Sequence, residues 1–169
     1  QLCVDKELAS GNAEGWEYLH IYPLVPVTRL ADSGMDISVG LSINGIELAS
    51  CLMSELIELL NHLAEKKYDV VFVIHHLMGH APEVMKNMIQ KFTNCPVYFW
   101  VHDYFTLCRS YTLMQNGLRF CNAPPISSNA CQICLYGEER QSHVARIRNL
   151  LSIKELKLVF PSEVARDML

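Results

Sequence analysis

The sequence predicts an α/β fold, with a parallel sheet flanked by helices and a cysteine-rich loop inserted in it. Two short apolar runs rich in β-branched residues, over 69–75 and 96–101, are typical of buried strands. Longer segments with apolar residues at three- and four-residue steps precede and separate these runs, as in helices that cover a sheet. Strands that alternate with helices over short links are parallel and are joined by right-handed crossovers.

Length and composition set the class of protein. We treat residues 1–169 as one domain, which is long enough to bury a core. Half of the residues are hydrophobic and the net charge is −4, so no basic field favours nucleic acid or anionic lipid. No apolar run reaches the ~20 residues of a membrane-spanning helix. The chain lacks an initiator Met and a signal peptide, and its last residues resemble a helix that has only begun. We therefore expect a piece of a longer protein, truncated at both ends.

The first part of the chain predicts two strands and a helix. Residues 1–15 hold glycines among small and charged residues and are predicted to be irregular. Residues 16–22 are aromatic and β-branched, which favours a strand. Alternation over 36–44 predicts a half-exposed strand at a sheet edge, followed by an Asn-Gly turn. Residues 46–66 are predicted to form one amphipathic helix.

The middle of the chain carries the two buried strands and a break in the pattern. A helix that begins at Pro82 separates the strand over 69–75 from the strand over 96–101. The alternation of helices and strands then stops in a cysteine-rich insertion over 104–137. Within it, an Asn-Gly pair between apolar residues predicts a small hairpin.

After the insertion the alternation resumes. A helix is predicted from Glu138, with Arg140, Arg146 and Arg148 mostly on its outer face. A last strand over 156–160 leads to a helix capped by a serine. Together with the preceding elements, this pattern predicts a Rossmann-like α/β layer.

Polar side chains follow the two buried strands at the points where these strands end. His75 and His76 end the first strand, and His102 and Asp103 follow the second. Open α/β sheets bind ligands at the carboxyl ends of their strands, and parallel neighbours bring these ends together. Imidazoles there can bond hydroxyl- or phosphate-bearing ligands, and Asp103 can accept from a hydroxyl. The structural alternative is that these histidines only cap their strands or face solvent.

A second histidine pair raises the question of a catalytic metal. His76 and His80 are four residues apart, a spacing that suits a metal when both lie on a helix. Gly79 and Pro82 instead predict a loop, and no glutamate lies between the pair. We therefore expect no catalytic metal at this position.

Four of the seven cysteines cluster in the predicted insertion. Cys108, Cys121, Cys131 and Cys134 have the spacing C-x12-C-x9-C-x2-C. This spacing leaves three alternatives open: a structural zinc held by four thiolates, two disulfides, or buried free thiols. A loop of this length has little core of its own, so a zinc ion would contribute folding free energy directly.

The order of these motifs resembles the N-terminal half of glycosyltransferase family 4 enzymes. The resemblance covers residues 16–169 and rests on three strands and the motifs that directly follow them. These motifs are His-His at 75–76, His-Asp-Tyr at 102–104 and Pro-Ser-Glu at 161–163. These enzymes have the GT-B fold, in which two Rossmann-like domains face each other across a cleft. Some bacterial members are also similar in the cysteine insertion. The resemblance implies that the chain is the acceptor-side half of a GT-B fold.

The resemblance also implies a reaction and a site. Such an enzyme transfers a sugar from a nucleotide sugar, its donor substrate, to a hydroxyl of a glycan or lipid-linked acceptor, with retention of configuration, as in bacterial polysaccharide synthesis. His102 matches the histidine that reaches the reacting sugar, where it acts as a positioning group. The residues implied to bind substrate are His75, His76, Gly79, Asp103, Tyr104 and Ser162.

Partners and location follow from the same resemblance. It implies a C-terminal donor-binding domain in the parent chain, and a location in the cytoplasm or at the surface of the inner membrane. The family's first strand and glycine-rich loop do not precede residue 16, and its donor domain lies outside these 169 residues. We therefore expect this piece to fold without turning over substrate. The alternatives are a non-catalytic interaction module with a zinc-stapled docking loop and, with less support, a histidine-rich metalloenzyme.

Overall fold

Two three-stranded sheets, one antiparallel and one parallel, form the frame of an α/β fold. The computed structural model describes residues 2–66, 68–92 and 94–168. The elements of the first half are α1 Leu2–Ala13, β1 Leu19–Pro23, β2 Ser38–Ile43, β3 Ile46–Leu52, α2 Met53–Glu65, β4 Phe72–Ile74 and α3 Pro82–Ile89. Those of the second half are β5 Val97–Trp100, a 3-10 turn Tyr104–Thr106, β6 Met114–Gln115, β7 Arg119–Phe120, α4 Asn129–Gln132, α5 Gly137–Leu151, β8 Leu156–Val159 and α6 Glu163–Asp167.

The parallel sheet has the strand order β4-β5-β8, with β5 in the middle. Val73 pairs with Tyr98 across β4 and β5, and Trp100 pairs with Val159 across β5 and β8. The prediction that the two buried strands are parallel neighbours is therefore confirmed. All three strands end at the same edge, so the residues that follow them are brought together there.

The antiparallel sheet corrects two predictions. Residues 46–52 form β3 rather than the start of a helix, and β2 lies in the centre of the sheet rather than at an edge. Asn44 and Gly45 account for the first difference, because both have positive φ (51° and 81°) and fold β3 tightly back onto β2. β2 is central because β1 pairs along its other edge. The helix α2 begins only at Met53, where the apolar stripe of helical period begins.

The helix α1 was not predicted. Residues 1–15 were expected to be irregular, yet α1 occupies most of them, because its leucines, alanines, glutamate and lysine are good helix formers and outweigh the single Gly11. The helix stops before Gly15, whose φ of 83° is the left-handed conformation common at helix ends.

Two arginines of α5 have different roles from those predicted. Arg140 was expected on the outer face, but it is buried with 6% of its surface exposed. Arg146 is half-buried and forms a two-bond ion pair with Glu83 of α3, with N···O distances of 2.7 and 2.8 Å. The polar ends of long side chains do not show up in an apolar periodicity, so the sequence pattern could not place them.

The predicted hairpin is confirmed with shorter strands. Met114 pairs with Phe120, and Asn116 and Gly117 make the turn with φ values of 50° and 75°. Across the ranges that the structure describes, no helix has the length and apolar content needed to cross a bilayer.

Candidate functional site

His75 and His102 meet at the carboxyl edge of the parallel sheet. His75 follows β4, and His102 lies two residues beyond the end of β5, which is the strand next to β4 in the sheet. Their side chains contact through His75 Nδ1 and His102 Nε2, 3.1 Å apart, and their rings are stacked with an interplanar angle of 14°. The predicted convergence of the two strand ends is therefore observed.

Glu7 of α1 sets the hydrogen-bonding state of this histidine pair. Its Oε2 lies 2.8 Å from His75 Nε2 and 3.3 Å from the hydroxyl of Tyr18. A carboxylate only accepts, so His75 Nε2 carries the proton when the ring is neutral. His75 Nδ1 is then an acceptor, and His102 Nε2 donates to it. This arrangement leaves His102 Nδ1 as an unprotonated acceptor, and no described residue bonds to it.

The environment of His102 favours this neutral form. His102 is exposed, but the part of its ring that is buried lowers its pKa below the usual 6.5, and the neighbouring His75 and His76 lower it further, whereas Asp103 and Glu7 act in the opposite direction. At neutral pH the ring therefore offers a lone pair rather than a positive charge.

His76 and Asp103 form a second pair beside the first. His76 Nδ1 accepts from the backbone N–H of Met78 at 3.0 Å, so Nε2 is the protonated nitrogen of the neutral ring and donates to Asp103 Oδ2 at 3.1 Å. The other carboxylate oxygen, Oδ1, accepts from the backbone N–H of Phe105 at 2.9 Å and caps the 3-10 turn. Asp103 thus holds His76 and the turn in place, and both of its oxygens are already engaged.

Trp100 completes the site on its aromatic side. Its ring is stacked with that of His102, with an interplanar angle of 4°, and lies at 11° to that of His75. These three residues, with His76, Asp103 and Phe105, line one shallow open cavity. Trp100 was missed as a site residue, although its position two residues before His102 in an extended segment places both on one side. Glu7 was also missed, and its distance of 68 residues from His75 gave no local signal.

Three predicted site residues lie outside this cavity. Gly79 has a φ of 75° and is packed against Pro23 and Val27, so its role is to let two loops approach closely. The ring of Tyr104 lies beside Phe120 of the hairpin, at a centroid distance of 6.1 Å. Ser162 caps α6 as predicted, since its hydroxyl accepts from the N–H of Ala165 at 3.2 Å. It follows β8 and therefore shares the sheet edge.

The four clustered cysteines line a different small cavity, next to the hairpin and α5. Cys108, Cys121, Cys131 and Cys134 all contribute to its wall, and all are free thiols. Among the described residues, no group of three or more His, Cys, Asp or Glu side chains is arranged as a metal site. Of the second histidine pair, His76 bonds to Asp103, and His80 is buried.

His80 carries a pKa shift large enough to affect stability. Burial, and to a lesser extent the neighbouring His76 and His20, lower the pKa of His80 to about 4. Its Nδ1 is buried and has no hydrogen-bond partner among the described residues. In the folded protein the ring is therefore neutral, whereas in the unfolded chain it binds a proton near pH 6.5.

Acidification should accordingly destabilise the protein through His80. Between pH 6.5 and 4 the unfolded state binds more protons than the folded state, so stability falls as the pH falls. We expect this residue to cost about 2 kcal/mol in the free energy of unfolding between about pH 7.5 and about pH 5. Urea denaturation across this range checks the value, with His80→Gln as the comparison. An identical pH dependence in both proteins would show that His80 is not the group responsible.

Comparisons with protein-family models, with curated proteins and with solved structures gave no match to this chain. The class of protein therefore has to be inferred from the chemistry of its own side chains.

Proposed function

We propose that this chain is the acceptor-binding domain of a retaining, nucleotide-sugar-dependent glycosyltransferase. The observation that carries the proposal is the His75–His102 contact of 3.1 Å at the carboxyl ends of two neighbouring parallel strands. The proposal includes that the parallel sheet and its helices are a Rossmann-like domain, and that a donor-binding half is present elsewhere in the parent chain. Catalysis would then rest on orientation of the acceptor and on electrostatic stabilisation of the departing diphosphate, with no catalytic metal.

The charges around the site favour an acceptor hydroxyl over a phosphate as its ligand. Glu7 lies 2.8 Å from His75, and Asp103 lies 3.1 Å from His76. Two carboxylates at this distance neutralise the positive charge that protonated imidazoles would offer to an anion. The carboxylates would also repel an anion, whereas they do not repel a neutral polyol. The charges therefore favour a sugar acceptor as the ligand of this site.

The chemistry of the cavity fits a sugar. The free Nδ1 of His102 can accept a hydrogen bond from a hydroxyl, and the nearby Trp100 ring presents an apolar face of the kind on which the carbon skeleton of a sugar packs. In this proposal, His102 orients the reacting hydroxyl, while Glu7 and His75 act through it by fixing its tautomer. His76 and Asp103 support the rim beside the acceptor.

Binding of glycans to this chain tests the proposal directly. Saturation-transfer NMR against a panel of neutral oligosaccharides should detect binding by the wild-type chain. His102→Ala should raise the dissociation constant about tenfold, which corresponds to the loss of one good hydrogen bond. His62→Ala is the matched control, because His62 is an exposed histidine on α2, away from the sheet edge, whose Nδ1 bonds to the carbonyl of Glu58. Absence of binding to every glycan, or equal binding by His102→Ala, would contradict the proposal.

A second candidate is a non-catalytic interaction module. Three large apolar side chains close to the four cysteines are strongly exposed: Leu118 (83%), Ile133 (72%) and Leu135 (79%). Exposed apolar groups that lie together are typical of surfaces that contact another protein. The glycan experiment separates the two candidates, since an interaction module predicts no glycan binding that depends on His102.

A further inference from the structure

Arg140 is a buried cation in the wall of the cavity lined by the four cysteines. Its guanidinium donates to the carbonyl oxygens of Leu107 and Pro124 at 3.0 and 2.6 Å, and its Nη1 lies 2.8 Å from Cys131 Sγ. Within the described part of the chain it forms no ion pair with a carboxylate. A buried charge is costly unless a group of opposite sign compensates it. The groups available in this cavity are the thiols, which become anionic on losing their protons.

The surrounding backbone holds the cysteines on a fixed scaffold. The hairpin turn is attached to the segment that carries Cys134, directly after the α4 residue Cys131, because Asn116 Oδ1 accepts from the N–H of Leu135 at 2.8 Å. Next to the turn, Gln115 Nε2 donates to the carbonyl of Ala130 at 2.8 Å. On the other side, Gly137 starts α5 so close to this loop that a β-carbon there would overlap the carbonyl oxygen of Cys131.

Four neutral thiols leave the charge of Arg140 uncompensated, whereas several bare thiolates in one small cavity repel each other. A divalent cation resolves both problems, since Zn²⁺ with four thiolates carries a net charge of −2. Thiolate sulfurs of such sites accept hydrogen bonds from neighbouring donors, which orient the ligands and stabilise their charge. Arg140 already makes this contact to Cys131.

We propose that Cys108, Cys121, Cys131 and Cys134 bind one structural Zn²⁺, and that Arg140 is its fixed counter-charge. The described side chains are not already arranged as a metal site. Binding therefore requires the four thiol groups to turn toward the centre of the cavity and lose their protons. The ion then joins the 3-10 turn region, the hairpin and α4 with the segment that follows it. This site is separate from the histidine site and does not depend on the proposed glycosyl transfer.

Metal analysis of the purified chain tests the site. We expect about one zinc per chain by mass spectrometry, and a Co²⁺-loaded chain should show the absorption of a tetrahedral thiolate complex. Cys131→Ser and Cys134→Ser should each lose the metal, whereas Cys51→Ser, which changes a cysteine of β3 outside the cavity, should keep it. Zinc-free wild-type protein, or zinc that survives both cavity variants, would overturn the proposal.

Two further measurements keep the test decisive if a cavity variant fails to fold. Thiol titration of the denatured wild-type chain should count all seven cysteines, and a count of three would indicate two disulfides instead of zinc. Arg140→Leu should weaken zinc affinity about tenfold in competition with a chelator, while Arg140→Lys should retain part of it. Equal affinity in Arg140→Leu and the wild type would overturn the role assigned to Arg140.

Discussion

If the parent protein is the glycosyltransferase that we propose, replacement of His102 by alanine in it should lower kcat/KM about 100-fold, because loss of one orienting group misplaces the reacting hydroxyl. The His102 side chain is exposed at the sheet edge, so the melting temperature should stay close to that of the wild type. About tenfold of this loss should appear in KM as weaker binding of the acceptor, and the remaining factor of about ten in kcat, since the group is proposed to act on the reacting hydroxyl. Initial-rate measurements of sugar transfer check this expectation.

Two variants separate orientation from a merely structural role of His102. His102→Asn places an amide oxygen near the position of Nδ1 and should recover part of the activity, whereas His62→Ala should leave the rate unchanged. Because the pKa of His102 is lowered, the wild-type rate should persist below pH 6.5, where an ordinary histidine would already be protonated. Unchanged sugar transfer in His102→Ala would remove the role that we assign to this residue.

Leu56→Ala should lower the free energy of unfolding by about 3 kcal/mol, the typical cost of removing a buried leucine side chain. Leu56 lies on α2 with 1% of its surface exposed, and it packs in a cluster with Val39 of the antiparallel sheet and Met88 of α3. The variant therefore leaves a cavity where α2 joins the two parts of the fold. Denaturation by urea, with an unchanged slope, measures the loss.

Leu59→Ala is the matched control for this prediction. It makes the same substitution in the same helix, but Leu59 is 55% exposed. We expect its effect to stay within about 0.5 kcal/mol, as for other surface positions. Similar losses in both variants would mean that α2 does not pack on the face that its apolar stripe predicts.

The predictions from local patterns were confirmed where one short-range rule dominates. The run over 96–101 contains β5, the Asn116-Gly117 pair makes the hairpin turn, and Ser162 caps α6. Each of these depends on residues that are close in sequence, through side-chain period, positive φ or a capping hydroxyl. The pattern at 46–52 failed because Ile46 and Leu48 fit both a strand and a helix, and pairing with β2 decided between them.

The candidate site was predictable only in part for a related reason. Strand ends pointed to His75, His76, His102 and Asp103, and these four line one cavity. Gly79 and Tyr104 were expected at the site from the family resemblance, yet their contacts lie elsewhere. Closeness in sequence to a motif does not determine the direction in which a loop residue's side chain points.

The sequence by itself determined the parallel pairing of the two histidine-ended strands, because hydrophobic period and short connections permit little else. The tertiary structure alone decided that Glu7 fixes the tautomers of the histidine pair and that Arg140 lies buried against Cys131. Both contacts join groups on separate elements through long side chains, and the energy of such a contact depends on burial and distance in space. Neither burial nor distance in space can be read from the local sequence.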